Sequence, residues 1–382
     1  MRVEQLSLTS FRSYEALELR LGPGPQIVVG DNAAGKTNLV EAIVLLARGS
    51  SHRTSSDAEL VRWGDTVARV EAAIDHGGAR GTDHVDVALE RSGPLGAGAR
   101  KRLRVDGVPR RASGLAEALR VVLFAPEEML LVVGPPSLRR GAIDAMASAG
   151  SPAYGRALST YGRALQQRNS LLRRIREGEA DRDQLPYWDG IVTAEGGAIV
   201  AGRLELLERL RPLVADAHRQ IAPSEPVLEL RYLTNAPALA AESPAEAIAR
   251  RLAETAEREV WNGATLVGPH RDDVTFELDG RDMTTFASRG QQRTAILSLK
   301  LAELDLLADP TTDERPLLLL DDVFSELDPD RRAHLVRRIL DLPQAIVTTT
   351  ALDDLDPALV AASSTWHVRE NAVRPGAARV GA

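Results

Sequence analysis

Gln26-Ile27-Val28-Val29-Gly30-Asp31-Asn32-Ala33-Ala34-Gly35-Lys36-Thr37 is the stretch that decides the fold. Its first four residues read as a short buried strand. From residue 38 to 47, Leu39, Ile43 and Leu46 recur at helical spacing, so the order is strand, loop, helix. Between strand and helix, Gly30, Gly35, Lys36 and Thr37 fill the pattern GxxxxGK[ST] in full. The glycines admit a tight loop whose N–H groups face a phosphate, and the helix adds its positive end. The loop from Gly30 through Asp31, Asn32, Ala33, Ala34 and Gly35 to Lys36 and Thr37 is therefore expected to cradle ATP. Lys36 would reach the β- and γ-phosphates, and the Thr37 hydroxyl would ligate Mg²⁺.

Such a site needs a carboxylate on the metal side. Leu317-Leu318-Leu319-Leu320 reads as a buried strand, and Asp321-Asp322 stands at its carboxyl end, where open α/β sheets place their ligands. Asp321 is the candidate for holding Mg²⁺ and Asp322 for orienting the attacking water. Ser288-Arg289-Gly290-Gln291-Gln292-Arg293 precedes an apolar helical pattern through Ile296, Leu297, Leu299 and Leu304. Its serine can cap that helix, and its glycine lets a phosphate approach the exposed N–H groups. Ser325-Glu326-Leu327-Asp328-Pro329 follows the acidic pair, and Thr348-Thr349-Thr350 follows the next strand.

The bulk properties narrow the setting. With 382 residues, 44% hydrophobic and 26% charged, the chain reads as a globular protein with room for one large domain or two ordinary ones. No apolar run reaches the roughly 20 residues of a membrane span, and residues 1–6 carry no secretory signal, so a cytoplasmic protein with no membrane partner is expected. The absence of cysteine removes disulfides, thiolate chemistry and Cys-based zinc sites. A formal net charge of -7 means that contact with nucleic acid needs a local basic face. Of the 47 basic residues only Lys36, Lys101 and Lys300 are lysines, a habit of composition that makes the lysine in the phosphate loop more telling.

Along the chain, residues 2–8 and 15–21 alternate as strands, with weaker strands at 66–75 and 83–89. A Gly-rich loop at 92–99 and the basic tract Arg100-Lys101-Arg102-Leu103-Arg104 lead to a turn at Asp106-Gly107. Residues 153–177, 190–219 and 244–260 carry helical patterns rich in strong helix formers. Val274 to Leu278 alternates into a hairpin turn at Asp279-Gly280, and α/β order returns with helices at 290–308 and 329–340 and a strand at 345–348. The expected fold class is α/β. One lobe is assembled from both chain ends, 1–125 and 300–382, and a mainly helical lobe at 126–299 holds the serine-glycine loop.

At this point the chain resembles the ABC ATPases. Residues 30–37 match their Walker A loop, 288–292 the signature, 317–322 Walker B and 325–328 the D-loop. The resemblance implies that the signature of one copy covers the γ-phosphate held by another, so one set of motifs per chain implies an ATP-dependent homodimer. Ser288, Gly290, Gln291 and Asp328 then join Lys36 as catalytic candidates. The superfamily has Glu where Asp322 stands and a switch histidine where Thr349 or a neighbour stands. The shorter acid implies slow hydrolysis.

A transporter ATPase places its signature closer to Walker B than Ser288 lies to Asp321, and the polar loop 308–315 intervenes. SMC heads carry far longer coiled coils than residues 137–260 allow. Over essentially its full length the chain is most similar to the RecF family of bacterial recombination ATPases. Asn32 to Thr37, Ser51-His52-Arg53-Thr54, Phe124-Ala125-Pro126-Glu127, Gly134-Pro135-Pro136 with Arg139-Arg140, Gly268-Pro269-His270-Arg271-Asp272-Asp273, Ser288 to Arg293 and Leu320 to Asp328 carry the similarity. It implies an ABC-type P-loop head that dimerises with ATP and binds double-stranded and gapped DNA. It also implies help to RecR and RecO in loading RecA onto gapped single strands, and a weak, DNA-stimulated ATPase.

Residue by residue, DNA contact is expected from Arg156, Arg163, Arg173 and Arg174, together with Arg168 and Arg176, on a predicted helical arm, and from Arg139 and Arg140, which precede it. A solvated helix face is the other reading, and Arg110 with Arg111 is a weaker pair. Arg12 is a candidate nucleotide contact from the first hairpin loop. His52 and Arg53 are candidates for touching base or phosphate, with structural pairing as the alternative. Residues 268–273 read as a salt-bridged turn more readily than as a metal site. Trp63, Trp188, Trp261 and Trp366 are scattered, which points to packing. The competing functions are another SMC-like head that processes or tethers DNA, a transporter ATPase and a nonenzymatic module.

Overall fold

The computed structural model describes residues 1–77, 80–92, 98–308 and 314–376. Its contacts divide the chain into two units: Met1–Met129 with Ile296–Ala382, and Leu130–Ala295.

The first unit opens with the hairpin β1 (Arg2–Phe11) and β2 (Tyr14–Arg20), followed by β3 (Gly24–Val29) and α1 (Lys36–Arg48). Next come β4 (Val67–Asp75), β5 (Thr82–Arg91), β6 (Ala99–Val105), the short β7 (Val108–Pro109) and β8 (Val121–Phe124). In the second unit, α2 (Leu130–Val133), α3 (Pro136–Gly150), α4 (Pro152–Arg176) and α5 (Leu185–Ile221) precede β9 (Leu228–Leu233) and α6 (Pro244–Asn262). β10 (Asp273–Leu278), β11 (Arg281–Asp282) and α7 (Met283–Phe286) complete it. The boundary falls inside α8 (Arg289–Leu307), and the chain returns to the first unit with β12 (Leu317–Asp321), α9 (Pro329–Leu340), β13 (Gln344–Thr349), α10 (Pro357–Ala362), β14 (Ser364–Arg369) and β15 (Ala372–Pro375).

Two six-stranded sheets build the first unit. One is antiparallel in the order β2-β1-β4-β5-β6-β7. The other runs β15-β14-β3-β13-β12-β8, parallel throughout except for the β14–β15 hairpin. The strand alternation read from the sequence is the sidedness of the first sheet: Ala68, Val70, Ala72 and Ile74 of β4 are buried while Val67, Arg69 and Glu71 are not. β12 is buried on both faces and is apolar at every position before its last, as parallel strands are. α1 is shut in between the sheets, which is why Leu39 to Ala47 are all buried and why all of them but Glu41 share one core cluster with Leu8, Val70, Val87, Leu319 and Ile346.

The second unit packs α4, α5 and α6 together beside the three-stranded sheet β11-β10-β9. Ser243 and Glu246 close a reciprocal cap at the start of α6. The expected hairpin turn at Asp279-Gly280 forms, both residues taking positive φ. β9 and the β14–β15 hairpin were not expected. The basic tract at 100–104, read only as leading to a turn, is the strand β6. Residues 93–97 of the Gly-rich loop and 309–313 of the polar loop lie outside the described residues. No helix among the described residues is long and apolar enough to cross a membrane.

Two tryptophans depart from the packing expectation. Trp63 and Trp261 stand 90% and 78% exposed. Trp366 is half-buried and donates its indole N–H to Gln26 at 3.0 Å.

Candidate nucleotide site and basic helix

β3 delivers the chain into the loop at the carboxyl edge of the parallel sheet, and Gly30 N–H donates to the Thr349 carbonyl of neighbouring β13. A Cβ on Gly30 would stand 2.3 Å from the Val368 carbonyl oxygen of β14, so only glycine fits there. Gly35 has φ +113°, and a Cβ on it would meet the Tyr14 hydroxyl at 2.9 Å. That hydroxyl donates to the Gly35 carbonyl at 3.0 Å, and its burial raises the phenol well above its ordinary range. The first hairpin therefore braces the loop from below. Lys36 lies across the loop, its ammonium donating to the Gly30 and Asp31 carbonyls at 2.7 and 3.0 Å. Asp31, Asn32 and Ala33 are exposed, Ala34 is half-buried and Ala33 takes φ +65°.

Thr37, on the first turn of α1, donates its hydroxyl to Asp321 Oδ1 at 3.2 Å. The same oxygen accepts the Thr348 hydroxyl at 2.6 Å, and Thr348 Oγ1 accepts the N–H of Asp322 at 3.0 Å. Asp322 leaves β12 at φ +54°, a left-handed conformation that, outside glycine, aspartate and asparagine adopt most readily. Three side chains, from α1, β12 and β13, thus meet the backbone N–H of Asp322 at one sheet edge. Thr37 and Asp321 form an all-oxygen donor pair, which suits a small hard divalent cation.

The hydroxyl beside the acidic pair belongs to Thr348 and not to Thr349. Thr349 is buried and its hydroxyl donates to the Ala351 carbonyl at 2.9 Å, closing a local turn. The register shows why: Thr348 is the direct neighbour of Asp321, and successive side chains on a strand face opposite ways. Arg12, expected near nucleotide, is engaged elsewhere. Its guanidinium holds Glu41 of α1 through two bonds of 2.7 and 2.8 Å and donates to the Glu59 carbonyl at 3.0 Å. Burial alone would raise the fully buried Glu41 carboxyl, but Arg12, Ser51 and Arg53 outweigh it and hold it below its usual range. Arg53 pairs with Glu41 and Asn38.

Ser288 caps α8: its Oγ accepts the Gln291 N–H at 3.2 Å, while Gln291 Oε1 accepts the Ser288 N–H at 3.0 Å. Gly290 lies in the first turn, its carbonyl accepting the Thr294 hydroxyl. Asp328 caps α9, accepting the Arg331 N–H at 3.0 Å and pairing with the Arg331 side chain.

The arginines expected to meet DNA divide into two groups. Arg139 is buried, paired with Asp273 at 2.8 Å through two bonds and bonded to the Gly134 carbonyl. Arg168 is buried against Glu259 and Asp189, both at 2.6 Å. Both are held within the fold, Arg168 between two carboxylates and Arg139 by one carboxylate and backbone carbonyls, and a desolvated guanidinium so engaged has no face left for phosphate. Arg140 is half-buried and tied to the Asp272 carbonyl at 2.8 Å. Arg156, Arg163, Arg173 and Arg174 are exposed on α4. Of these, Arg156, Arg163 and Arg174 share one face of the helix over about 27 Å at 1.5 Å per residue. Residues 268–273 form the salt-bridged turn: Tyr161 bonds His270 Nδ1 at 2.6 Å, Tyr232 donates to Asp272 at 2.6 Å and Arg203 reaches the Pro269 carbonyl at 2.8 Å. Burial lowers His270 to about 4.

The model of the RecF/RecN/SMC N-terminal domain matches residues 2–368. A DNA replication and repair protein RecF from Limosilactobacillus fermentum is 40% identical over 365 residues, covering 94% of this chain and 95% of its own. The chain belongs to the RecF family. RecF of Bacillus subtilis is 35% identical, covering 98% of this chain and all of its own. The solved structure of a RecF–ATP form, described as a recombination mediator protein of the RecFOR pathway, superposes with a TM-score of 0.87 at 29% identity over 98% of this chain and 97% of its own. An SMC head from Pyrococcus furiosus shares the fold at a TM-score of 0.53 and 14% identity, covering 98% of this chain and 95% of its own. The fold is that of the RecF and SMC ABC-type heads, and the family is one of ATP-binding DNA replication and repair proteins.

Proposed function

We propose that this protein is an ATP-dependent recombination mediator that dimerises on ATP, binds duplex or gapped DNA and assists RecA loading together with RecR and RecO, in the cytoplasm. The observation that carries the ATP side of this reading is the junction of Thr37, Asp321, Thr348 and Asp322 beside the phosphate loop.

In this reading the loop N–H groups and Lys36 bind the phosphates, Lys36 exchanging the Gly30 and Asp31 carbonyls for the ligand. Thr37 and Asp321 would hold Mg²⁺, which when bound neutralises charge on the phosphates. Thr348 fixes the Asp321 carboxylate and, through the Asp322 N–H, the turn on which the water-orienting acid stands. An aspartate reaches one methylene less far than glutamate, so hydrolysis is slow and resets the dimer. The chain carries one phosphate loop and one Ser288–Gln291 loop, and the cap on α8 presents helix N–H groups of the kind that take a phosphate. Two complete sites then require two copies. Of the expected DNA set, the exposed arginines of α4 remain open to phosphate, and Arg156, Arg163 and Arg174 among them share one face.

The test is light-scattering mass against Mg²⁺-ATP for the wild type and for Lys36→Met and Ser288→Arg, without and with gapped DNA. A wild-type dimer that forms with ATP, is lost in both variants and is strengthened by DNA supports the reading. A monomer under every condition sinks the dimer, and a dimer indifferent to DNA sends the search to another partner.

A further inference from the structure

The basic tract at 100–104 has no part in the reading above. In β6 it alternates. Lys101, Leu103 and Val105 turn toward the core side of the sheet, where Lys101 pairs with Asp57 at 2.8 Å, while Arg100, Arg102 and Arg104 are exposed on the other face. At about 3.4 Å per residue, successive members of this row stand about 6.8 Å apart. Arg110 and Arg111, both exposed, lie at the same edge: just beyond β7, the Arg110 N–H donates to the Leu103 carbonyl at 2.9 Å.

Acids do not balance the row. The face carries Asp86 and Glu90 of β5, directly across from Arg104 and Arg100, and Glu71 of β4. Arg69 of β4 takes Asp86 at 2.9 Å and Glu71 at 3.2 Å. Glu90 reaches Arg102 at 3.6 Å, a pair more than half exposed on both sides and therefore weak. Arg100, Arg104, Arg110 and Arg111 make no ion pair among the described residues. A single charge serves to keep an edge strand from pairing with another chain. Three like charges in line, with two more at the edge, repel one another. In a chain of net charge -7, such a row calls for a polyanion to stand over it. No phenyl, phenol or indole ring is present among the outward residues of β4, β5 and β6, so these strands offer nothing on which unpaired bases could stack, and that favours a duplex over a single strand.

We infer that the outward face of β6, with Arg100, Arg102 and Arg104 in line and Arg110 and Arg111 at its edge, is a second duplex-DNA surface that takes up backbone phosphates without reading bases. This rests on the DNA reading above, and it adds contacts on the first unit that do not depend on α4 in the second.

The test is fluorescence anisotropy with labelled duplex and with labelled single strand, over a series of salt concentrations, on full-length protein in Mg²⁺-ATP. Arg100→Gln, Arg102→Gln and Arg104→Gln together should flatten the duplex slope of log K against log salt by about 2.7, at about 0.9 per lost phosphate contact. The loss should be uniform across duplex sequences. Lysine at the same three positions should bring the slope back, since a phosphate accepts either cation. Thermal unfolding and DNA-free ATP turnover of the glutamine variant should match wild type. A folded glutamine variant with the wild-type duplex slope overturns the inference, as does a loss confined to the single strand. Arg156→Ala, Arg163→Ala and Arg174→Ala, combined in one variant and measured alongside, separate the two surfaces: if that variant alone loses duplex, α4 carries the contact and β6 does not. If wild-type protein binds no duplex, the DNA reading falls first and this inference with it.

Discussion

Lys300→Met is the substitution whose cost the structure fixes best. The ammonium of Lys300 is 2.5 Å from a Glu128 carboxylate oxygen and 3.0 Å from one of Glu303, and Lys300 and Glu303 are each only 3% exposed. Burial by itself would depress this amine, yet the two carboxylates outweigh it and raise it above its ordinary value of 10.5. A raised lysine stabilises the fold fully below about pH 10 and loses its contribution only as pH climbs through the folded value, so wild-type stability should be flat in this respect between pH 7 and 9. Methionine matches the bulk and removes the charge, which leaves two carboxylates without their cation. Breaking a buried pair from one side costs about 3–5 kcal/mol. With a urea slope of about 3 kcal/mol/M, the midpoint by circular dichroism should fall by about 1 M or more at pH 8. Adding Glu128→Gln and Glu303→Gln to Lys300→Met should recover more than half. A loss below about 1 kcal/mol at pH 8, or a triple variant no more stable than Lys300→Met alone, would refute the reasoning.

Thr348→Val removes the hydroxyl shared by Asp321 and the Asp322 N–H, so steady-state ATP turnover should drop by about 10- to 100-fold while nucleotide affinity, measured by fluorescence titration, changes little. Replacing Arg156, Arg163 and Arg174 together by alanine should weaken duplex binding and flatten the slope of log K against log salt by about 2.7, at about 0.9 per lost phosphate contact; an unchanged slope would remove α4 from the DNA surface. His270 is held neutral by burial, with its folded value lowered to about 4 from 6.5. Its contribution is whole above about pH 6.5 and declines as pH falls toward 4, by up to about 3 kcal/mol. Asp272, raised by burial, acts in the opposite sense, so the measurement is the difference in urea stability between wild type and His270→Gln across that window.

What the sequence made legible was local. The phosphate loop, the apolar strand before Asp321 and the long helices announce themselves within a dozen residues, since loop geometry, strand burial and helical period are properties of short windows. The failures needed partners far along the chain. Arg139 looks like a surface cation until Asp273, 134 residues away, is placed against it. Thr349 or a neighbour is as far as the sequence reaches, because nothing in a run of three threonines states the register, and a shift of one residue turns a strand side chain to the opposite face. The alternation of β9 was in plain view at 228–233, but its partner β10 lies some forty residues on. Lys300 could have been suspected: in a chain that writes nearly every cation as arginine, each lysine has a specific niche, Lys36 over the loop carbonyls, Lys101 against Asp57 and Lys300 between two acids.

The strand order of the parallel sheet also sets a timetable. β3, which feeds the phosphate loop, lies between β13 and β14, and both emerge from the ribosome roughly 300 residues after it. At about 5–20 residues per second the loop waits tens of seconds for the strands that flank it. Gly30 cannot bond Thr349, nor Thr37 meet Asp321, until β12 and β13 have been made. Interrupted synthesis products therefore lack the joined loop and acidic strand end however much of the amino-terminal sheet they have folded.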